Sequence, residues 1–135
     1  MARLARWMLV GLVVVAASCS GGPIGVGPLP LSGDSIAEAQ VHTCLSSPGR
    51  LHISVDSSAT FEIIRVEIND EATGGEDFDV SRFPGSFPGH AEGTSTKVHP
   101  AGSCPNLKLK ALCYPNSTCD PFPERTFHYV VSLVP

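Results

Sequence analysis

The sequence predicts an all-β fold, an antiparallel two-sheet sandwich of six or seven strands, with a small open barrel as the alternative. Three observations carry this expectation. Short segments with apolar residues at every second position recur along the chain. Clusters of Gly, Pro and Asp separate them. No segment shows an apolar helical stripe bounded by caps, and only residues 35–40 have room for a single helical turn. Strands that are apolar on one face bury it by packing in two layers.

Each expected strand follows from its own pattern. In 51–55, Leu51, Ile53 and Val55 share one face, with His52 and Ser54 opposite. Residues 61–68 form a second strand whose phase slips. Phe61 and Ile63 lie on one face, but Ile64, Val66 and Ile68 lie on the other, so a bulge near Ile63-Ile64 is expected. Residues 107–111 alternate cleanly, with Lys108 and Lys110 outward. Residues 127–134 are β-branched and aromatic, with Phe127, Tyr129, Val131 and Leu133 on one side. Weaker strands are expected at 40–43, 78–81 and 94–99.

The N-terminus reads differently. Arg3 and Arg6 precede an apolar run from Trp7 to Val15, which ends in Ala16-Ala17-Ser18. A permanent membrane-spanning helix needs ~20 apolar residues, so export and cleavage is the better reading, and residues 1–18 are a signal peptide. The segment Ala16-Ala17-Ser18-Cys19-Ser20 resembles the lipobox of bacterial lipoproteins. The resemblance implies that the Cys19 thiol receives a diacylglyceryl group and becomes the new N-terminus. Ordinary signal-peptidase cleavage after Ala17 is the alternative. Cysteine parity separates the two, since the five cysteines leave an even four once Cys19 is lipidated. Each buried methylene contributes ~0.8 kcal/mol, so two or more acyl chains hold a protein firmly to one leaflet. Ser20 after the lipidated Cys resembles the pattern that sends Gram-negative lipoproteins to the outer membrane. In a Gram-positive cell the expectation is the outer leaflet of the cell membrane.

Residues 19–38 are rich in Gly, Pro and Ser, and are expected to form a flexible, lipid-anchored tether. Residues 39–135 are expected to form the sandwich domain. In layout this part resembles the immunoglobulin-like and fibronectin-like modules of bacterial surfaces. That resemblance is one of pattern, without the Trp between two cysteines of a true immunoglobulin domain.

Cys44, Cys104, Cys113 and Cys119 allow three pairings. Cys113–Cys119 is favoured because Tyr-Pro-Asn-Ser-Thr between them is turn chemistry. Cys44–Cys104 would then close a long loop, and Cys44–Cys113 is the main alternative. A short bridge of this kind stabilises by roughly 2 kcal/mol and a long one by roughly 4 kcal/mol, through the entropy of the unfolded chain.

Charge excludes one class of partner. Without Arg3 and Arg6, seven basic residues face thirteen acidic ones, a balance that repels nucleic acid. Candidate chemistry is sparse. Gly85-Ser86-Phe87-Pro88-Gly89 lacks the strand-turn-helix context of a nucleophile elbow, and there is no H-E-x-x-H, C-x-x-C or phosphate-binding glycine loop. His42, His52, His90, His99 and His128 are dispersed and read as solvated strand residues, with His52 and His128 outward. Calcium candidates are Asp70, Glu76, Asp77 and Asp79 around Thr73-Gly74-Gly75, although a solvated hairpin loop is the plainer reading. Phe83 and Phe87 lie in a repeated Phe-Pro-Gly segment that Pro84 and Pro88 stiffen. They either plug the sandwich or present an aromatic grip to a partner. The expected function is therefore non-catalytic: an interaction or structural module of the cell envelope, held to the membrane by lipid, with a protein or glycan partner. The alternative is a small-ligand or calcium-binding accessory subunit. No cofactor is expected.

Overall fold

The computed structural model of the chain describes residues 24–59, 63–81, 88–112 and 125–135. Nine strands follow in chain order: β1 (Ile24–Val26), β2 (Leu31–Ile36), β3 (Glu38–His42), β4 (Arg50–Ser57), β5 (Ile63–Asp70), β6 (Gly74–Ser81), β7 (Gly89–Thr94), β8 (Asn106–Leu112) and β9 (Thr126–Val134). Among the described residues there is no helix. The hydrogen-bonded path runs β6-β5-β8-β3-β2-β9-β4-β7, with β1 beside β3.

That path divides into two sheets at one corner. Between β2 and β3 only Ile36 and Glu38 pair, across Ala37 at φ 63°. The first sheet is β6-β5-β8-β3-β1 and the second is β2-β9-β4-β7. All pairings are antiparallel except β1 with β3. At the far side, β6 and β7 approach through side chains: a Cβ on Gly93 would lie 3.0 Å from Val80 Cγ2 and 3.2 Å from Phe78 Cε2. They do not pair, so the sheets form a sandwich and not a closed barrel.

Alternation puts the core between the sheets. The first sheet contributes Ala39, Val41, Ile64, Val66, Ile68, Val80, Leu107, Leu109 and Ala111, and the second Leu51, Ile53, Val55, Ala91, Phe127, Tyr129 and Val131. Each large aliphatic side chain buried this way contributes about 1.5–3 kcal/mol. The rings of Phe127 and Tyr129, two residues apart on the inner face of β9, tilt at 52° with centroids 6.3 Å apart. The Cys44–Cys104 disulfide is present. It closes the end of the β3–β8 ladder beyond His42 and Asn106, where Leu45 N also donates to Ser103 O at 2.8 Å.

Several expectations need correction. The expected tether at 19–38 contains β1 and β2, so the domain includes Ile24 and does not start at residue 39. The reason is packing: Gly25 and Gly33 lie against Tyr129, where a Cβ would come within 2.9 and 2.7 Å of its hydroxyl. Glycine here makes room for a ring and does not signal a flexible coil. Residues 35–40 form no helical turn, because Ala37 makes the strand corner and binds both neighbours, donating to Arg125 O at 2.9 Å and accepting from Ala111 N at 2.8 Å. From Ile63 onward β5 pairs without a bulge on both edges; Phe61 lies outside the described residues. The strand expected at 94–99 is β7, ending at Thr94, and His99 makes only an isolated bridge with Gly49. Asp70 and His99 are not solvated but buried.

Candidate functional site

Two polar constellations arise from this packing, one inside and one on a face. Asp70 ends β5 at an inward position, following Ile64, Val66 and Ile68. There it meets His99, which the Gly49 bridge fixes through two backbone hydrogen bonds of 3.0 and 2.8 Å. His99 Nδ1 lies 2.6 Å from Asp70 Oδ2, with side-chain exposures of 0% and 2%. A carboxylate only accepts, so Nδ1 carries the shared hydrogen. Ala72 N donates to Asp70 Oδ1 at 3.0 Å. Burial pushes the Asp70 carboxyl up, but hydrogen bonds from His99 and Ala72, with the His99 charge and Ser103, outweigh it and hold the group below its ordinary value. His99 Nε2 is buried and has no hydrogen-bond partner among the described residues. Among the described residues no hydroxyl is hydrogen-bonded to the free nitrogen of this Asp70–His99 pair. Its effect is to lock the β5–β6 turn to the loop before β8.

Glu76 reinforces that lock. Its carboxylate accepts from the Thr96 N–H and hydroxyl, each at 2.6 Å, and from the Lys97 N–H at 3.3 Å. Burial raises the Glu76 carboxyl, and these bonds lower it further than burial raises it. Lys97 Nζ donates in turn to Thr73 O and Gly75 O, both at 2.9 Å.

The second constellation covers the outer face of the second sheet. Pairing sets Asp34 on β2 opposite His128 on β9, His128 opposite Asp56 on β4, and Asp56 opposite His90 on β7. Acid and imidazole thus alternate across all four strands. His128 Nδ1 lies 3.0 Å from Asp34 Oδ1, and His90 Nδ1 lies 2.8 Å from Asp56 Oδ1. Glu92 joins this row to His52, with Oε2 at 3.1 Å from His52 Nε2 and 3.8 Å from His90 Nε2. The hydrogen bond to Asp56 raises His90 above its ordinary value; burial opposes it, and the charges of Asp56 and Glu92 reinforce the rise. The first sheet's outer face has the same ladder form but different cations: Arg65 pairs with Asp79 at 3.1 Å and Lys110 with Glu67 at 3.2 Å.

The residues singled out from sequence are distributed as follows. The four calcium candidates do not converge: Asp70 is committed to His99, Glu76 to the loop at Thr96 and Asp79 to Arg65, while Asp77 lies outward and exposed. Among the described residues no group of three His, Cys, Asp or Glu side chains is placed to hold one metal ion. Cys19, Cys113, Cys119, Phe83 and Phe87 lie outside the described residues. His52 and His128 share the outer face as expected, but they stand four residue pairs apart along the β4–β9 ladder and do not meet. Sequence reasoning missed the Asp70–His99 pair and the histidine ladder. The ladder left a trace in the spacing of His90 and Glu92, two apart in a strand. The buried pair left none except the inward parity of Asp70.

No known family's sequence pattern matches the chain, and no curated protein is similar to it in sequence. Among solved structures, the pre-peptidase C-terminal domain of collagenase from Bacillus anthracis superposes with a TM-score of 0.48 at 10% identity, covering 87% of this chain and 100% of that domain. Among the described residues no helix is long and apolar enough to cross a membrane.

Proposed function

We propose that the protein is a lipid-anchored, non-catalytic interaction module of the cell envelope, held through Cys19 and recognising a protein or glycan partner with an outer sheet face. The observation that carries this reading is where the polar groups lie. Apolar side chains fill the space between the sheets, and the buried polar groups are spent on locking loops. Accessible charged groups stand in paired rows on the two outer sheet faces. A sandwich with a filled interior recognises by face, edge or loop. Lipidation would set those faces near a membrane, in the outer membrane of a Gram-negative cell or on the outer leaflet of a Gram-positive one.

The test has two arms. Intact mass of the protein from its own host reads the anchor: an acylated mass starting at Cys19, lost in Cys19→Ala, supports it, and a soluble product starting at Ser18 with no acyl mass sinks it. Photo-crosslinkers placed at Ser54 on the second sheet and at Arg65 on the first read the module in intact cells. A discrete adduct from one face and not the other supports recognition by face, and the absence of an adduct from either removes it.

A further inference from the structure

The two outer faces are built alike but answer differently to protons. On the first sheet, carboxylates pair with Lys and Arg, which stay charged across the physiological range. On the second, every acid–base pair uses histidine, the side chain whose charge changes between pH 5 and 8. We propose that the outer face of the second sheet is a proton-operated switch of surface charge, set by His52, His90 and His128 against Asp34, Asp56 and Glu92.

Seven charged or titratable residues stand outward on these four strands, and all but Arg50 are paired in the row. β2 offers Asp34 and β9 offers His128. β4 offers Arg50, His52 and Asp56, and β7 offers His90 and Glu92. The neighbours facing His90 are Asp56 across the ladder and Glu92 on its own strand. Those facing His128 are Asp34 and Asp56. His52 faces Thr94, Ser132 and, on the diagonal, Glu92, with Arg50 two residues away. The charged residues of neighbouring β6 do not face this cluster: Asp79 is paired with Arg65 on the first sheet, and Asp77 lies outward beside Glu67. With the imidazoles neutral, Arg50 against three carboxylates leaves the face two charges negative. With all three protonated it is one charge positive, so its sign reverses.

Protonation also changes cohesion. With the imidazoles neutral, Asp34, Asp56 and Glu92, all half-exposed or more, lack a cationic partner on this face other than distant Arg50. With the imidazoles protonated, each carboxylate lies beside an imidazolium, and β2, β9, β4 and β7 are cross-linked by charge in one row. A partner docking here meets an anionic face when the imidazoles are neutral and one with a single net positive charge when they are protonated. This holds whether or not Cys19 carries lipid.

The sign follows from His90. Its value is raised in the folded protein, so its contribution is complete below the unfolded histidine value and lost as pH rises through the folded one. The experiment follows the His90 ring by NMR titration of the folded protein, and the melting temperature between pH 6 and 8. His90 is expected to titrate above an ordinary histidine, and Asp56→Asn to bring it down. The melting temperature of the wild type is expected to fall from pH 6 to pH 8 relative to His90→Gln, a fixed neutral side chain. His90→Lys, a fixed cation, is expected to remove the part of that fall that exceeds His90→Gln and to hold the acid-side stability. Comparison with these variants cancels His42, His52, His99 and His128, which all the proteins share. A His90 that titrates at or below the ordinary value, or a wild type whose melting temperature runs parallel to His90→Gln, overturns the proposal.

Discussion

At the scale of single residues, the Asp70–His99 pair shows how costly a polar core position is and how it is made tolerable. A buried carboxylate is unfavourable unless every lone pair is answered, and here the ring nitrogen, the Ala72 amide and Ser103 answer it. Asp70→Ala strips the acceptor from a fully buried Nδ1–H and is expected to cost about 1–3 kcal/mol, read by denaturant unfolding near pH 7. The pH dependence has a definite sign. Asp70 and Glu76 both lie below their ordinary values of 3.8 and 4.5 in the folded state. Their contribution is therefore complete above those values and disappears as pH falls through the lower folded ones. Acid unfolding of the wild type should steepen below about pH 4, and Asp70→Asn should flatten that limb; equal acid sensitivity in both proteins would refute the assignment. This pair was illegible from sequence because a Glu, a Thr and two glycines around Asp70 look solvated. Its partner comes from a loop twenty-nine residues on.

At the scale of elements, strands were legible in proportion to the bulk of their inward side chains. β4, β5, β8 and β9 place Leu, Ile, Val and aromatics inward and stood out from alternation alone. β2 and β7 did not, because after Leu31 the inward positions of β2 are only Gly33 and Ser35, and those of β7 are Gly89, Ala91 and Gly93. In both cases a large neighbour supplies the missing volume, Tyr129 over Gly33 and Phe78 with Val80 over Gly93. Hydrophobic periodicity reads the small half of such a pair as loop. The prediction at this scale is direct. Gly33→Val sets carbon within 2.7 Å of the Tyr129 hydroxyl and 2.9 Å of Cζ, and overpacking of this kind is expected to cost about 1–3 kcal/mol. In a double-mutant cycle Gly33→Val should cost less in a Tyr129→Ala background than in the wild type; if Gly33→Val melts like the wild type, residues 31–36 do not pack on β9 as described. The histidine ladder needed the pairing register itself, since its members come from four strands and no local motif joins them.

At the scale of the whole molecule, the two-sheet class and the Cys44–Cys104 bridge were both expected from sequence, whereas the order of strands and the start of the domain came only with the structure. The bridge encloses sixty residues of sequence separation, including β4 to β7. Its reduction is expected to lower stability by roughly 4 kcal/mol through the entropy of the opened loop. Comparison of Cys44→Ser/Cys104→Ser with the oxidised wild type in urea measures it, and an unchanged midpoint would show that the loop is closed by other means. A different consequence follows from the corner at Ala37. Residues 31–42 run without interruption from the edge of one sheet to the interior of the other, hydrogen-bonded to β9 before the corner and to β8 after it. Neither layer owns this segment. A fluctuation that detaches β2 from β9 also loosens the corner that begins β3, and one that opens β3–β8 loosens it from the other side. The sandwich therefore has no seam along which one layer can melt while the other survives, and its two sheets behave as a single cooperative unit.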